Sequence, residues 1–273
     1  MQLFDPGVAI RCHFTLDIIQ NMQCPPVARR NHSLKIWSAF LLCWAGLIWR
    51  LRMPHIGLQA RGPLVWVEIV FLLLLYGYVL LSAYGLGQLC LRLFKLPLLS
   101  KIESGLLALM VGFGIFSMGI TIIGLIGWLN VPGILTWLAI SGSIAFRELI
   151  ELVNDPATTI EASCSPVRRS RFEVLLQTVI FISIPLLLVN AASPVWDYDA
   201  LMYHMEIPRQ FLAEGRIYFD PEIWRSAYPF LGEMPFLVGM IFGLDPLAKL
   251  INLTYAVLLM SSVYVFSVRF WGR

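Results

Sequence analysis

Ionisable and aromatic residues cluster in one stretch of about 35 residues, between Pro194 and Tyr228. The stretch contains Asp197, Asp199 and His204, followed by alternating acidic and basic residues: Glu206, Arg209, Glu214, Arg216, Asp220, Glu222 and Arg225. Carboxylate and imidazole groups are common acids and bases in catalysis, and ionisable groups are costly to hold beside a membrane. We therefore expect the protein to do its chemistry in this stretch.

Asp197 and Asp199 lie two residues apart and could bind a divalent cation through their oxygen atoms. Two carboxylates are too few for a complete metal site, and the cysteines have no zinc-binding spacing. Asp199 could instead cap the short helix that follows it, and His204 could be an ordinary packed histidine. The spacing alone leaves these alternatives open.

A short helix is predicted over residues 200–214, with Asp199 as its N-cap and Gly215 after its last turn. Glu206 and Arg209 are three residues apart on one side, a spacing that allows an ion pair. The apolar residues lie roughly on the other side: Leu201, Met205, Pro208, Phe211 and Leu212. This pattern predicts an amphipathic helix along the membrane surface, and the proline in its middle predicts a break or kink.

The rest of the chain is strongly apolar. Of its 273 residues 58% are hydrophobic and only 14% are charged, whereas soluble domains are about a quarter charged. The mean hydropathy is +0.75, and the apolar residues occur in long runs. The sequence therefore predicts an all-α integral membrane protein. A net charge of +3 and the lack of a basic stripe with interleaved aromatic residues argue against nucleic acid as a partner.

The apolar runs predict six or seven transmembrane helices. The first candidate, Ile36–Trp49, follows a polar tail of residues 1–34 and is short for a hydrocarbon core of roughly 30 Å, so a signal peptide is the alternative. Residues 35–192 would form the first membrane region, 193–228 the polar loop, and 229–273 two further membrane helices. The other predicted spans are Leu64–Leu86, Gly105–Leu129, Val131–Phe146, Phe172–Asn190, Pro229–Phe242 and Pro246–Val268.

Glu233 lies inside one of these predicted spans. A carboxylate there needs a partner or a water-filled cavity, and Arg225 is the candidate partner. The distribution of basic residues does not orient the loop. Whether or not Ile36–Trp49 crosses the membrane, the better orientation places 12 of the 20 lysines and arginines on the cytoplasmic side.

Residues 196–217 read Trp-Asp-Tyr-Asp-Ala-Leu-Met-Tyr-His-x-x-x-Pro-Arg-x-x-Leu-x-x-Gly-Arg-Ile. This string resembles the first large loop of membrane glycosyltransferases of the GT-C superfamily, especially bacterial relatives of protein mannosyltransferases and of lipid A aminoarabinose transferase. The segments Tyr228-Pro229-x-x-x-Glu233 and Leu247-Ala-Lys249-Leu250 also fit that pattern. The resemblance covers about 75 residues, from Pro194 to Val268.

The resemblance implies transfer of a sugar from a polyprenyl-phosphate donor to an acceptor of unknown identity, at the outer face of a bacterial inner membrane. It implies that Asp199 lies near the reacting carbons and is the catalytic base, with Asp197 and His204 as further catalytic residues. A divalent metal ion, held by the two aspartates, is an open alternative. The resemblance and the local charges assign substrate binding to four residues: Tyr203, Arg209, Arg225 and Glu233.

The resemblance places the polar loop outside the membrane and therefore predicts that Ile36–Trp49 crosses it. Members of this family usually continue with more membrane helices, so residues 1–273 are expected to be the N-terminal portion of such an enzyme. The alternative is a non-enzymatic membrane protein, such as a transporter subunit or an assembly factor, whose acidic loop binds a partner.

Overall fold

The computed structural model describes residues 64–95, 101–154, 171–192, 197–227 and 229–271, together with positions 38 and 46. Every regular element within these ranges is helical. A π-helical segment, Ala200–His204, precedes α5, and a 3₁₀ turn, Trp224–Ala227, precedes α6. The α-helices are α1 (Leu64–Leu93), α2 (Lys101–Leu125), α3 (Val131–Asn154), α4 (Arg171–Ala192), α5 (Glu206–Glu214), α6 (Phe236–Ile241) and α7 (Pro246–Trp271). The predicted tail and nearly all of the predicted span Ile36–Trp49 lie outside the described residues.

Four of the described helices are long and apolar enough to cross a membrane: Trp66–Leu93, Ile102–Leu125, Val131–Glu151 and Pro246–Ser267. The protein is therefore an integral membrane protein, and the part of the chain described by the structure is helical. α4 has 22 residues, which at 1.5 Å per residue gives a length of about 33 Å. Its crossing, like a total of six or seven spans, stays a prediction.

The predicted span Pro229–Phe242 is wrong. Turns occupy residues 231–235, and α6, at six residues, is only about 9 Å long. Most apolar side chains of the run 229–242 are buried against the rest of the protein, including those of Met234, Leu237 and Phe242. This run therefore closes one end of the bundle without crossing the membrane.

The glycines of α2 allow close packing with α1. A Cβ added at Gly112 would overlap the main-chain carbonyl of Ala83, and one added at Gly87 would overlap that of Ala108. Small residues at such positions let two membrane helices approach closely. α2 also contacts α3 and α7, so it packs against three other helices of the bundle.

The polar loop lies at the end of the bundle where α1 begins and where α2 turns into α3. The amide of Leu129 donates to the carbonyl of Gly215 at 2.8 Å, and the amide of Ile217 donates to that of Gly124 at 3.0 Å. The ring of Phe71 in α1 also packs edge-on against Phe242. We call this the site end, and we call the end formed by the last turns of α1 and α3 the opposite end.

Candidate functional site

A half-enclosed cavity of about 310 Å³ lies at the site end. It is bounded by the π-helical segment, by the turns that precede α6, and by the first turns of α7. Met205, Phe236 and Ala248 form an apolar part of its wall. Its polar lining consists of Asp197, His204, Glu233, Lys249, Asn252 and Tyr255.

The helix predicted over residues 200–214 is divided at Met205. The amide of Met205 bonds to the carbonyl of Ala200 at 2.9 Å, which closes a π turn, and α5 starts at the next residue. Pro208 is the third residue of α5, where the missing N–H has no intrahelical partner to lose. The predicted break therefore occurs three residues before the proline.

The end of α5 follows the prediction. Gly215 terminates the helix with a left-handed backbone (φ 71°), a conformation that glycine adopts without steric cost. The buried face of α5 includes Ile207 and Phe211, which belong to the hydrophobic core. The amphipathic helix thus packs its apolar side on the protein.

The two aspartates of the loop occupy different positions. Asp197 lines the cavity, whereas Asp199 does not. The side chain of Asp199 makes no capping hydrogen bond to the turn that follows it, so the capping alternative has no support. Within the described ranges no group of three or more histidine, cysteine, aspartate or glutamate side chains is placed to hold a metal ion. Among these described residues, Asp197 and Asp199 therefore lack the further ligands that the metal alternative requires.

His204 and Glu233 both line the cavity, and their side chains are within hydrogen-bonding distance of each other. His204 Nδ1 lies 2.9 Å from Glu233 Oε1, and the His204 and Glu233 side chains are 43% and 17% exposed, respectively. The ring of Tyr203 lies against the imidazole, with 4.2 Å between the ring centroids. Glu233 thus has His204 as a partner. The side chain of Arg225 lies outside the described structure, so its pairing with Glu233 stays a prediction.

Arg209 lies away from the cavity lining. Its guanidinium donates to Asp245 Oδ2 at 3.1 Å and lies 3.7 Å from Glu206 Oε2. The contact with Glu206 is the ion pair that their three-residue spacing allows. Because two carboxylates hold the guanidinium, Arg209 connects α5 to the start of α7 and is poorly placed to bind a phosphate in the cavity.

Lys249, which lines the cavity from α7, is a site residue that the sequence reasoning missed. Its ammonium donates to the main-chain carbonyl of Asn190 at 3.2 Å, close to the end of α4. Tyr255, two turns further along α7, donates to the carbonyl of Gly232 at 3.3 Å. A lysine inside an apolar span is a signal of function that could have identified this position.

The cavity therefore has two chemically different sides. The loop side presents Asp197, His204 and Glu233, which can accept a proton or stabilise positive charge. The α7 side presents Lys249 near the positive end of a helix dipole, which favours an anion. No family model, curated protein or solved structure matches this chain, so the site is interpreted from its own geometry.

Proposed function

We propose that this membrane protein transfers a sugar from a polyprenyl-phosphate donor to an acceptor, and that the cavity at the site end is where the transfer occurs. The observation that carries the proposal is that Asp197 and His204, from the loop, and Lys249, from α7, line one cavity. The resemblance of residues 196–217 to glycosyltransferase loops supports the same reaction.

The α7 side of the cavity suits the phosphate of the donor. When the sugar leaves, the polyprenyl phosphate gains negative charge, and a fixed cation beside it lowers the energy of the transition state. Lys249 supplies that cation, and it lies in the first turn of α7, where the helix dipole adds positive potential. In this proposal Lys249 is the cation beside the leaving phosphate.

The loop side suits the sugar carbon. As the bond to phosphate breaks, that carbon gains positive charge, in a transition state with oxocarbenium character. A carboxylate at the cavity stabilises this charge. Because Asp197 lines the cavity and Asp199 does not, Asp197 is the aspartate that we place near the reacting carbons.

The two aspartates provide a matched test. Membranes that contain the protein would be given a polyprenyl-phosphate sugar with a labelled sugar, and transfer would be measured for wild type, Asp197→Asn and Asp199→Asn. We expect Asp197→Asn to lower kcat by about 10²–10³-fold, the usual effect of removing one electrostatic contact to a transition state. Asp199→Asn should stay within a few-fold of wild type. Equal losses in the two variants, or full activity in Asp197→Asn, would contradict the assignment.

A further inference from the structure

We infer that His204 accepts the proton of the acceptor hydroxyl and that Glu233 is a positioning residue that acts through His204. This inference rests on the proposed function and assigns a step within the same site. It also changes the role of Glu233, which the sequence pattern assigned to substrate binding.

The contact between the two side chains fixes the imidazole. In a neutral imidazole one nitrogen carries the proton and the other accepts a hydrogen bond. The carboxylate of Glu233, 2.9 Å from Nδ1, can only accept, so it selects the form with the proton on Nδ1. Nε2 then remains as the basic nitrogen of a side chain that lines the cavity.

A second contact restricts the rotation of the ring. The ring of Tyr203 lies 4.2 Å from the imidazole, at an interplanar angle of 42°. With Glu233 at one nitrogen and Tyr203 against its face, the imidazole is held on two sides. Glu233 is less exposed than His204, as expected for a residue that positions the imidazole without contacting the substrate.

The resulting step is balanced in atoms and charge. The acceptor oxygen attacks the anomeric carbon and forms a new carbon–oxygen bond, and the bond from that carbon to the phosphate oxygen breaks. The phosphate oxygen leaves with the bonding electrons. The proton of the acceptor hydroxyl moves to Nε2 of His204, and the charge of Glu233 stabilises the imidazolium that forms.

The other charged groups at the cavity have separate roles. Asp197 and Lys249 line the same space as His204, and the hydroxyl of Tyr255 contributes a further polar group. In this assignment Asp197 stabilises the sugar carbon and Lys249 stabilises the phosphate. Proton uptake then belongs to the imidazole of His204.

A double-variant experiment separates positioning from direct catalysis. His204→Gln should lower kcat about 10²–10⁴-fold, the usual contribution of a general base. Glu233→Gln should lower kcat at least about tenfold, because an amide group can hold the imidazole in the wrong tautomer. If Glu233 acts only through His204, the double variant should lose no more than His204→Gln alone. Glu222→Gln, an exposed glutamate of the same loop, should retain full activity.

Losses that multiply in the double variant would overturn the inference, because Glu233 would then act independently of His204. A second measurement does not depend on sugar transfer. The ¹⁵N chemical shifts of the His204 imidazole, identified among the four histidines by their loss in His204→Gln, report which nitrogen is protonated. A form protonated on Nδ1 that changes in Glu233→Gln supports the pair, and an unchanged tautomer overturns it. If wild type transfers no sugar but the tautomer changes, the proposed function fails while the positioning by Glu233 is supported.

Discussion

Charged side chains gather at both ends of the helical bundle, but their arrangement differs between the two ends. At the opposite end, Arg92 of α1 lies 2.6 Å from Glu148 of α3 and also bonds to Glu151, which pairs with Arg147 at 3.0 Å. At the site end, charged groups surround a cavity of about 310 Å³. The first arrangement joins two helices, and the second presents charges to a space that a ligand can enter.

The difference shows how similar residues acquire different roles in a membrane protein. Arg92 forms ion pairs with two carboxylates of one neighbouring helix, so its charge is balanced by groups of the protein itself. Lys249 and Asp197 come from different segments and face the same cavity. We therefore expect substitutions at the opposite end to change stability and substitutions around the cavity to change activity.

The largest effect on stability should come from the contact between α1 and α2, which connects the two ends. Gly112→Ala would place a methyl group on the main chain of Ala83, and main chain in a packed helix cannot move aside. We expect a loss of about 3 kcal/mol in the free energy of unfolding, at the upper end for overpacking. Gly114→Ala is the control, because a Cβ at Gly114 meets nothing within 4 Å. Unfolding in detergent micelles would measure both, and equal stability of the two variants would contradict the close contact.

An intermediate effect is expected from the ion pairs of the opposite end. Arg92→Ala leaves the carboxylate of Glu148, whose side chain is 4% exposed, without its cation. Removing a partner from a buried polar group costs about 1–3 kcal/mol, and the free energy of unfolding should fall by that amount. Arg147→Ala removes a pair in which the arginine is 71% exposed and should cost at most about 0.5 kcal/mol. A larger loss in Arg147→Ala than in Arg92→Ala would show that the buried carboxylate is not the stabilised group.

The smallest effect should come from Arg209, which connects α5 to α7 at the site end. Its side chain and that of Asp245 are 48% and 43% exposed, so Arg209→Ala should lower the free energy of unfolding by about 0.5 kcal/mol. The difference from wild type should disappear in high salt, because exposed charges are screened. Arg216→Ala, at an exposed position of the same loop, is the control. A loss that persists in high salt would mean that Arg209 stabilises by packing.

The long helices could be predicted from the sequence because each is a continuous apolar run. Two predicted helices end too early, at the point where charged residues begin. The helix predicted to end at Leu86 continues to Leu93, and the one predicted to end at Phe146 continues to Asn154. Both extensions carry the ion pairs of the opposite end. Both helices can extend beyond their apolar runs because their charged residues form ion pairs with each other. The sequence of one helix alone does not show which charges will pair.

The site was predicted only in part. Of the two aspartates in the predicted loop only Asp197 lines the cavity, and sequence spacing predicts neither this difference nor the π turn that follows. The run Pro229–Phe242 is as apolar as a membrane span, although most of its side chains from Met234 onward are buried in the protein. The partner of Glu233 and the role of Lys249 depend on segments brought together only by folding.

The difference between the two ends is tested most directly by the rate of sugar transfer per folded molecule, measured side by side for Lys249→Gln and Arg92→Ala. We expect Lys249→Gln to fold like wild type but to transfer at least about a hundredfold more slowly, since it lacks the cation for the leaving phosphate. Arg92→Ala should yield less folded protein with a normal rate per molecule. A wild-type rate in Lys249→Gln, or an equally strong loss of rate per folded molecule in Arg92→Ala, would contradict the separate roles of the two ends.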